Sequence, residues 1–384
     1  MKKRYLDNAS TTFPKPKCVA EAVADYIANV GCNISRGGYE TAYSAEELVF
    51  ETREWLAELF NAPDCRCVAF TKNITESLNV LLKGFLKPGD HVLVSAMEHN
   101  AVMRPLVQLE KQGVSFSRVP CREDGTLILE QLPALVQDNT RLVVMTMGSN
   151  VCGTLLPLEE VGKFCRERGI RFFVDCAQTA GVWDVDMEKL SADAIAFTGH
   201  KGLLAPQGIG GFVLKEDLAG EIEPLLSGGT GSLSHTEDVP NFLPDRFEPG
   251  TMNLPGIAGL HASLAYLREQ GIERLREHEL ALTKRFLDGL FPLEDAGKLR
   301  IVGLRGIEGR SSVVSVQTLR RELAEVAFEL DETYGIMTRV GLHCAPNAHK
   351  TLGTFPTGTI RFSFGAFNTA EDVDAALEAL NALC

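Results

Sequence analysis

The chain has 384 residues, enough for about two domains of ordinary size. Its formal net charge of −13 argues against a surface for nucleic acid or anionic lipid, since either partner needs a basic face. No apolar segment approaches the ~18 residues of a membrane span, and polar residues follow the basic start where a secretory signal would be apolar. We therefore expect a cytoplasmic protein without a nucleic-acid or membrane partner.

The ten cysteines are scattered along the chain without any C-x-x-C pair, which does not predict a disulfide framework. Cys65 and Cys67 would share one face of a strand, but no histidine or third cysteine lies near them in sequence. We therefore expect no metal site, and most of these thiols are predicted to be small buried side chains.

Short apolar runs alternate with amphipathic helical patterns over the first two-thirds of the chain. Several runs are apolar throughout, as in strands that are covered on both faces. The predicted strands span residues 67–70, 91–95, 116–119, 142–147, 171–175, 194–198 and 209–214. Helices are predicted between them at 44–60, 75–86, 100–112 and 158–168, the first with Ser44 as N-cap and Glu47 completing a capping box. This alternation predicts an α/β fold with a mostly parallel central sheet covered by helices.

The pattern changes after residue 255. Longer charged helices are predicted at 256–269 and 274–290, then strands at 313–317 and 359–364, and helices at 322–334 and 370–383. This pattern is typical of a smaller α+β unit. We therefore predict a large domain over residues 15–255 and a small C-terminal domain over 256–384, joined by an N-terminal segment over 1–14.

Two neighbouring predicted strands end in oppositely charged residues. Asp175 closes the strand 171–175, and Lys201 follows the next one. Open α/β sheets bind ligands at the carboxyl ends of strands, and burying an amine or a carboxylate is costly unless both have partners. A pyridine cofactor would supply them, because the carboxylate pairs with the protonated ring nitrogen and the amine forms a Schiff base with the aldehyde. A structural ion pair is the alternative that these two residues alone leave open.

Further polar residues follow the other predicted strands. The turn after the first strand opens a helix, where backbone N–H groups and the Thr75 hydroxyl could hold a phosphate. Thr198 and His200 would add contacts from a neighbouring strand. His99 is placed to stack on a flat ring and to transfer protons, and Asn150 follows a fourth strand. A simple helix cap and a structural histidine are the plain alternatives, but several polar strand ends on one rim indicate a ligand site.

Short motifs spread over the whole chain carry a family resemblance. They are Tyr5-Leu-Asp-Asn-Ala-Ser-Thr-Thr12, Asp175-Cys-Ala-Gln178, Thr198-Gly-His-Lys201, Arg339-Val-Gly-Leu-His-Cys-Ala345 and Arg361-Phe-Ser363. Together they resemble the class V aminotransferase family of fold-type I pyridoxal-phosphate (PLP) enzymes, in its cysteine desulfurase and selenocysteine lyase branch. The resemblance runs nearly end to end and implies the fold-type I architecture.

The resemblance implies a role for each matching residue. Lys201 would carry PLP as a Schiff base, with Asp175 at the ring nitrogen and Gln178 at the phenolic oxygen. His99 would stack on the ring and act as a proton shuttle. The remaining cofactor contacts would come from Thr75, Thr198, His200, Asn150 and, in a partner subunit, Thr251. Substrate contacts would come from Asn8, Asn150 and Arg361, whose guanidinium would bind the α-carboxylate.

Cys344 decides among the chemistries of this branch. It lies in a loop with glycine and proline and follows His343, which favours a partly exposed, reactive thiol. The resemblance implies that its thiolate attacks the sulfur of L-cysteine, leaving L-alanine and a persulfide on Cys344. This sulfurtransferase would be a homodimer with shared active sites, and would pass the sulfur to an acceptor protein for iron–sulfur cluster or other thio-cofactor assembly.

Other functions stay open on the sequence alone. A selenocysteine lyase acting on L-selenocysteine, or an aminotransferase with an idle Cys344, could use the same cofactor on the same scaffold. A catalytically silent scaffold in a sulfur-transfer assembly is disfavoured by the intact set of charged residues, because buried charges without a ligand would be costly.

Overall fold

The structure, a computed structural model, describes residues 2–34 and 37–384. The strands are β1 Arg4–Tyr5, β2 Val68–Thr71, β3 His91–Ser95, β4 Ser115–Val119, β5 Thr140–Thr146, β6 Arg171–Asp175, β7 Ala194–Thr198, β8 Gly210–Leu214, β9 Leu299–Val302, β10 Val313–Thr318, β11 Ile336–Met337, β12 Arg339–Gly341 and β13 Thr359–Ser363. The helices are α1 Lys17–Asp25, α2 Glu40–Leu59, α3 Ile74–Phe85, α4 Asn100–Glu110, α5 Leu158–Arg168, α6 Glu216–Ala219, α7 Leu254–Gln270, α8 Ile272–Asp295, α9 Leu323–Glu332, α10 Pro346–Thr351 and α11 Ala370–Leu383.

Within the described residues, seven strands form a central sheet in the order β2-β8-β7-β6-β5-β3-β4. The strands from β7 through β6, β5 and β3 to β4 run parallel, whereas β8 is antiparallel to both β7 and β2. The connection from β7 to β8, residues 199–209, contains no helix, and an antiparallel return needs no crossover. The predicted α/β fold with a mostly parallel sheet is confirmed.

Helices cover both faces of this sheet, and alternate residues of each strand point to opposite faces. In β6, Phe172 and Val174 belong to one apolar core and Phe173 belongs to the other. All residues of β7 are buried. Burial on both faces explains why these strands are apolar throughout in sequence.

A smaller antiparallel sheet, β12-β13-β10-β9, packs with α8, α9 and α11. In β13, Ile360 and Phe362 lie in the apolar core of this unit, and the pleat places Arg361 on the opposite face. Every residue of β13 is buried, so the alternating sequence distinguishes an apolar core from a polar cleft rather than from solvent. The pairing of β1 with β11 joins the start of the chain to this unit.

The domain boundary predicted at residue 255 falls at the start of α7 and stays a prediction. The buried face of α7, including Ile257 and Leu260, belongs to a core of the large sheet, whereas α8 contributes Leu282 to the smaller core. Gly271, with a φ of 80°, separates the two helices. We therefore propose that the large unit extends through α7 and that the small unit begins with α8.

The predicted start of α2 at Ser44 is wrong. The helix begins at Glu40, and the Ser44 hydroxyl donates to the Glu40 carbonyl at 3.1 Å. A serine inside a helix can bond back to the carbonyl four residues earlier, so a capping-box pattern does not always begin a helix. The helix predicted from Thr75 likewise begins one residue earlier, with Asn73 as its N-cap. None of the helices in the described part of the chain combines the length and apolar character needed to span a bilayer.

Candidate active site

Most of the predicted site residues gather at the carboxyl ends of the parallel strands. Asp175 is the last residue of β6, and Thr198 ends β7 shortly before Lys201. The segment after β3 contains His99, and the segment after β5 contains Asn150. Because parallel strands end at the same edge of a sheet, these side chains share one rim, the usual position of ligand sites in such folds.

Lys201 and Asp175 influence each other's ionisation. Asp175 is 2% exposed, and its Oδ1 accepts a hydrogen bond from the Ala177 backbone N–H at 2.8 Å. Burial raises the pKa of Asp175, while the Ala177 N–H and the Lys201 charge oppose the rise. Burial lowers the pKa of Lys201 to about 8, an effect that Asp175 opposes and that Arg361 and Arg339 reinforce. About a tenth of Lys201 is therefore an uncharged, nucleophilic amine at pH 7.

Two buried polar atoms beside Lys201 lack partners. Thr198 Oγ1 and His200 Nδ1 have no hydrogen-bond partner within the described residues. Burial, followed by the charges of Lys201 and Lys15, lowers the pKa of His200 to about 4, so this imidazole is neutral. Buried polar groups are normally hydrogen-bonded. A ligand with acceptor oxygens, such as a phosphate, fits these two groups.

The N-terminus of α3 approaches the same edge of the sheet. Gly210 of β8 pairs with both Thr71 and Thr198, and a Cβ on Gly210 would lie 3.0 Å from the Asn73 Cα. Thr75 is exposed in the first turn of α3. The free N–H groups and the dipole of a helix N-terminus favour an anion there.

His99 is held in one orientation by the helix that it begins. It is the N-cap of α4, and its Nδ1 accepts a hydrogen bond from the Ala101 backbone N–H at 3.0 Å. Burial, followed by the charge of Lys201, lowers the pKa of His99 to about 4. The imidazole is therefore neutral near pH 7, with its proton on Nε2.

The N-terminal segment covers this region. Gln178 donates from Nε2 to the Ala9 carbonyl at 3.1 Å. Asn8 is 7% exposed, and its Nδ2 donates to the Ser363 carbonyl and to Asn368 Oδ1, both at 3.0 Å. These contacts commit the Asn8 amide to holding the segment against the small unit. The substrate contact that the resemblance implied for Asn8 stays a prediction.

Arg361 is 1% exposed, and its guanidinium is already hydrogen-bonded. Its Nη2 donates to Asp7 Oδ1 and Ser10 Oγ, both at 2.7 Å, and its Nη1 donates to the Asn150 carbonyl at 2.9 Å. Arg339, opposite Arg361 on the neighbouring strand, also donates to Ser10 Oγ, at 2.7 Å. Two guanidinium groups thus meet near one carboxylate. A second carboxylate, such as that of an amino acid, suits this excess positive charge.

Asp7, Ser10 and Arg339 have no predicted role, although all three lie inside the motifs that carry the family resemblance. Asp7 is separated from Arg361 by 354 positions. Such a contact leaves no periodic signal in the sequence, so only the motif itself could have drawn attention to these residues.

Cys344 is exposed at a tight turn between β12 and α10. His343 and Cys344 have φ values of 47° and 58°, and the Ala345 N–H donates to the Leu342 carbonyl at 2.8 Å. Two successive positive φ values closed by this bond define a type I′ turn, which usually contains glycine or asparagine. Side chains in such strained positions persist only where the surroundings hold them, and they concentrate at functional sites.

Two outside contacts hold this turn at the rim. Asn150 Nδ2 donates to the His343 carbonyl at 2.7 Å, and the Asn100 backbone N–H donates to the Cys344 carbonyl at 2.8 Å. Because Asn100 directly follows His99, these bonds bring the thiol-bearing residue next to His99 and Asn150. The structure therefore joins the turn of Cys344 to two of the strand-end segments.

Thr251 does not gather with the others. It is exposed, and together with Gly250 it lines a cavity of about 390 Å³. Other lining residues belong to β2, to α3 and to the segments before α7, and Lys201 is not among them. The predicted contact of Thr251 with a partner subunit stays a prediction.

Comparison with known proteins places the chain among relatives of one kind. The aminotransferase class-V family model matches residues 4–376. The chain is 36% identical to a probable cysteine desulfurase of Methanothermobacter thermautotrophicus, over 98% of this chain and 93% of that protein. It is 35% identical to a probable cysteine desulfurase of Pyrococcus abyssi, over 99% of this chain and 94% of that protein.

Solved structures agree with the sequence relatives. The apo structure of a cysteine desulfurase from Thermococcus onnurineus matches with a TM-score of 0.92 and 33% identity, covering 99% of this chain and 94% of that chain. A cysteine desulfurase from Escherichia coli matches with a TM-score of 0.87 and 30% identity, with the same coverages of 99% and 94%. These findings confirm the predicted fold-type I architecture and the desulfurase branch. The chain belongs to the aminotransferase class-V family.

Proposed function

We propose that this chain is a PLP-dependent cysteine desulfurase, which converts L-cysteine to L-alanine and keeps the sulfur as a persulfide on Cys344. The observation that carries the proposal is the fixation of the Cys344 turn beside His99 and Asn150. An exposed thiol held in a strained turn at the rim of the site suits a nucleophile better than a structural residue.

The residues around Lys201 fit PLP. Lys201 would hold the aldehyde as a Schiff base, and the Asp175 carboxylate would pair with the ring nitrogen. Thr198 and His200, whose buried polar atoms find no hydrogen-bond partner among the described residues, would hold the phosphate together with Thr75 at the start of α3. When bound, PLP withdraws electrons from the bonds at the α- and β-carbons of an amino acid.

Two further residues would complete the surroundings of the ring. The neutral imidazole of His99 would lie against the ring, with its Nε2–H available for proton transfer. One amide N–H of Gln178 donates to the Ala9 carbonyl. The second N–H of the same amide would donate to the phenolic oxygen. Asn150, bonded to the turn of Cys344, would adjoin both cofactor and substrate.

The chain supplies a base, an anion site and a nucleophile for the reaction. Lys201 takes the Cα proton, since its lowered pKa keeps part of the amine uncharged. Arg361, supported by Arg339, binds the α-carboxylate. The Cys344 thiolate then attacks the substrate sulfur, so the new S–S bond forms as the Cβ–S bond breaks, and the electron pair of the broken bond stays on carbon. Protonation of that carbon, with His99 as the proton shuttle, and return of the proton from Lys201 to Cα give alanine.

We further propose a homodimer in which Thr251 contacts the phosphate in the partner's site, and transfer of the persulfide sulfur to an acceptor protein in the cytoplasm. Thr251 is exposed and lines a cavity whose lining does not include Lys201, which supports the first point. The exposure of Cys344 supports the second, because an acceptor must reach the sulfur.

Incubation with L-cysteine and a reductant, with alanine and sulfide measured together, tests the reaction. We expect equal amounts of both products, and a loss of at least about 100-fold in Cys344→Ser, because loss of a nucleophile removes the reacting group itself. Cys18→Ser, at a partly exposed thiol on α1, is the matched control and should keep full activity. Full activity of Cys344→Ser would contradict the proposal, and alanine formed only with a keto acid would indicate an aminotransferase.

A further inference from the structure

The N-terminal segment is bonded to the peptide group that precedes Lys201. The oxygen of this group is the His200 carbonyl. It accepts hydrogen bonds from the Thr12 backbone N–H at 3.0 Å and from the Thr11 hydroxyl at 3.1 Å. The Lys15 ammonium donates to the same oxygen at 2.7 Å. Three donors therefore share the two lone pairs of one carbonyl oxygen.

The Thr12 hydroxyl extends this contact to the peptide group that follows Lys201. Its Oγ1 accepts a hydrogen bond from the Lys15 ammonium, and it lies 3.1 Å from the Lys201 carbonyl oxygen and 3.3 Å from that of His200. A hydroxyl has one proton to donate. Because the His200 oxygen already has three other donors, this proton serves the Lys201 carbonyl. Lys15 thus acts on one side of the Lys201 Cα directly and on the other side through Thr12.

Lys15 has no acidic partner that would explain its position. It is partly buried, and no carboxylate among the described residues bonds to its ammonium. Burial lowers the pKa of Lys15 to about 8, as expected for a cation without a nearby counter-charge. Lys17, by contrast, is exposed and paired with Glu21 at 3.0 Å. Burying an unpaired cation costs free energy, so the direction of its donors towards the backbone of Lys201 indicates a role at that residue.

We propose that Lys15 positions Lys201 for formation of the Schiff base with PLP. In that step the Lys201 nitrogen bonds to the aldehyde carbon, and the two amine protons leave with the aldehyde oxygen as water. A bond of this kind forms readily only when the two reacting atoms are held close and aligned, which requires a fixed backbone at Lys201. The inference rests on the proposed function, because it takes Lys201 as the residue that carries PLP. Lys15 acts through the backbone of Lys201, so it is a positioning residue rather than a catalytic one.

Binding of two forms of the cofactor separates this role from a structural one. Pyridoxamine phosphate has the phosphate and ring of PLP but an amine in place of the aldehyde, so it forms no bond with Lys201. In Lys15→Met we expect the dissociation constant of PLP to rise about tenfold, near the value of one hydrogen bond to a charged group. The dissociation constant of pyridoxamine phosphate should stay close to that of the unmodified protein. Equilibrium dialysis of the cofactor-free protein measures both constants.

The same comparison distinguishes an effect on the phosphate contacts. The charge of Lys15 also contributes to the low pKa of His200, which would hold the phosphate. An action of Lys15 through His200 would weaken both forms of the cofactor, because both carry the phosphate. An action through the backbone of Lys201 weakens PLP alone.

Three further variants serve as controls. Lys17→Met, at the neighbouring exposed lysine, should bind both forms as the unmodified protein does. Lys15→Arg keeps a cation with several N–H donors, and it should recover most of the PLP affinity. Thr12→Val keeps the shape and removes the hydroxyl, so it should also weaken PLP selectively. Combined with Lys15→Met it should lose less than the product of the two separate losses, because both residues act in one network of hydrogen bonds.

An equal loss of both cofactor forms in Lys15→Met, or no loss of either, would overturn the inference. The melting temperature checks folding, and Thr12→Val provides the same comparison if Lys15→Met does not fold. Lys201→Ala tests the proposed function separately, because it removes the bond to the aldehyde and should abolish the preference for PLP. If Lys201→Ala keeps the preference of the unmodified protein, the proposed function fails instead.

Discussion

The Lys201 amine leads to a prediction about pH. An amine attacks an aldehyde only in its uncharged form, and burial lowers the pKa of Lys201 to about 8. Below that pH, each unit of acidification should reduce the uncharged fraction about tenfold. The rate at which cofactor-free protein takes up PLP should therefore rise with pH and level off above about pH 8. Stopped-flow absorbance over a series of buffers measures this rate.

Asp175→Asn provides the control for that profile. The Asp175 charge raises the pKa of Lys201 against the larger effect of burial, so its removal should move the midpoint to lower pH. A midpoint in the unmodified protein near the ordinary lysine value of 10.5 would contradict the effect of burial. An upward shift in Asp175→Asn would contradict the pairing of the two residues.

At the scale of single residues, the sequence predicts those site residues that interrupt an apolar pattern. Asp175 ends a wholly apolar strand and Lys201 follows another, so both stand out, and the sheet explains why they meet. Asp7 and Arg361 meet across 354 positions, which no local pattern indicates. Glu279 lies in a helix rich in charged residues, where nothing in the sequence distinguishes a buried acid from a solvated one. Burial is a property of the packed molecule and depends on residues that are distant in sequence.

At the scale of elements, Thr359 connects the turn of Cys344 with the small sheet. Its Oγ1 lies 2.9 Å from His343 Nε2 and donates to Ser315 Oγ at 3.1 Å. Thr359→Val keeps the shape and removes both bonds, leaving the buried His343 without this partner. We expect the free energy of unfolding to fall by about 1–3 kcal/mol, the cost of a buried unsatisfied polar group. Urea denaturation measures the change.

Thr351→Val is the matched control for this substitution. Within the described part of the chain, the Thr351 hydroxyl donates to the Asn347 carbonyl of the same helix, α10, at 3.2 Å, and Thr351 is partly exposed. Its loss should therefore cost less than the loss of Thr359. Equal stability of the two variants would show that the bond between Thr359 and the turn does not matter.

The helices and strands were predictable where one clear sequence pattern indicates them. The strands expected at 91–95, 171–175 and 194–198 match β3, β6 and β7, because continuous apolar runs between polar residues suit a sheet covered on both faces. The predicted start of α2 was wrong because a serine and a glutamate at capping-box spacing also fit a helix interior. The boundary at 255 stays a prediction, because the apolar face of α7 does not reveal in sequence which of two cores it will join.

At the scale of the whole molecule, shared active sites lead to a prediction about mixed dimers. If Thr251 serves the partner's site, a dimer of one Lys201→Ala chain and one Thr251→Val chain has one site with both side chains intact. Co-expression with two different tags isolates this mixed dimer. We expect it to be more active than either variant alone, because closed twofold symmetry exchanges the same segment between both sites. Activity no greater than the mean of the two parent dimers would contradict sharing.

The most direct test of the central claim is the mass of the peptide that contains Cys344 after reaction with L-cysteine in the absence of reductant. We predict one added sulfur atom on Cys344, removable by a thiol reductant, together with an equal amount of alanine. Alanine formed while Cys344 stays unmodified, or sulfur found on another cysteine in its place, would contradict it.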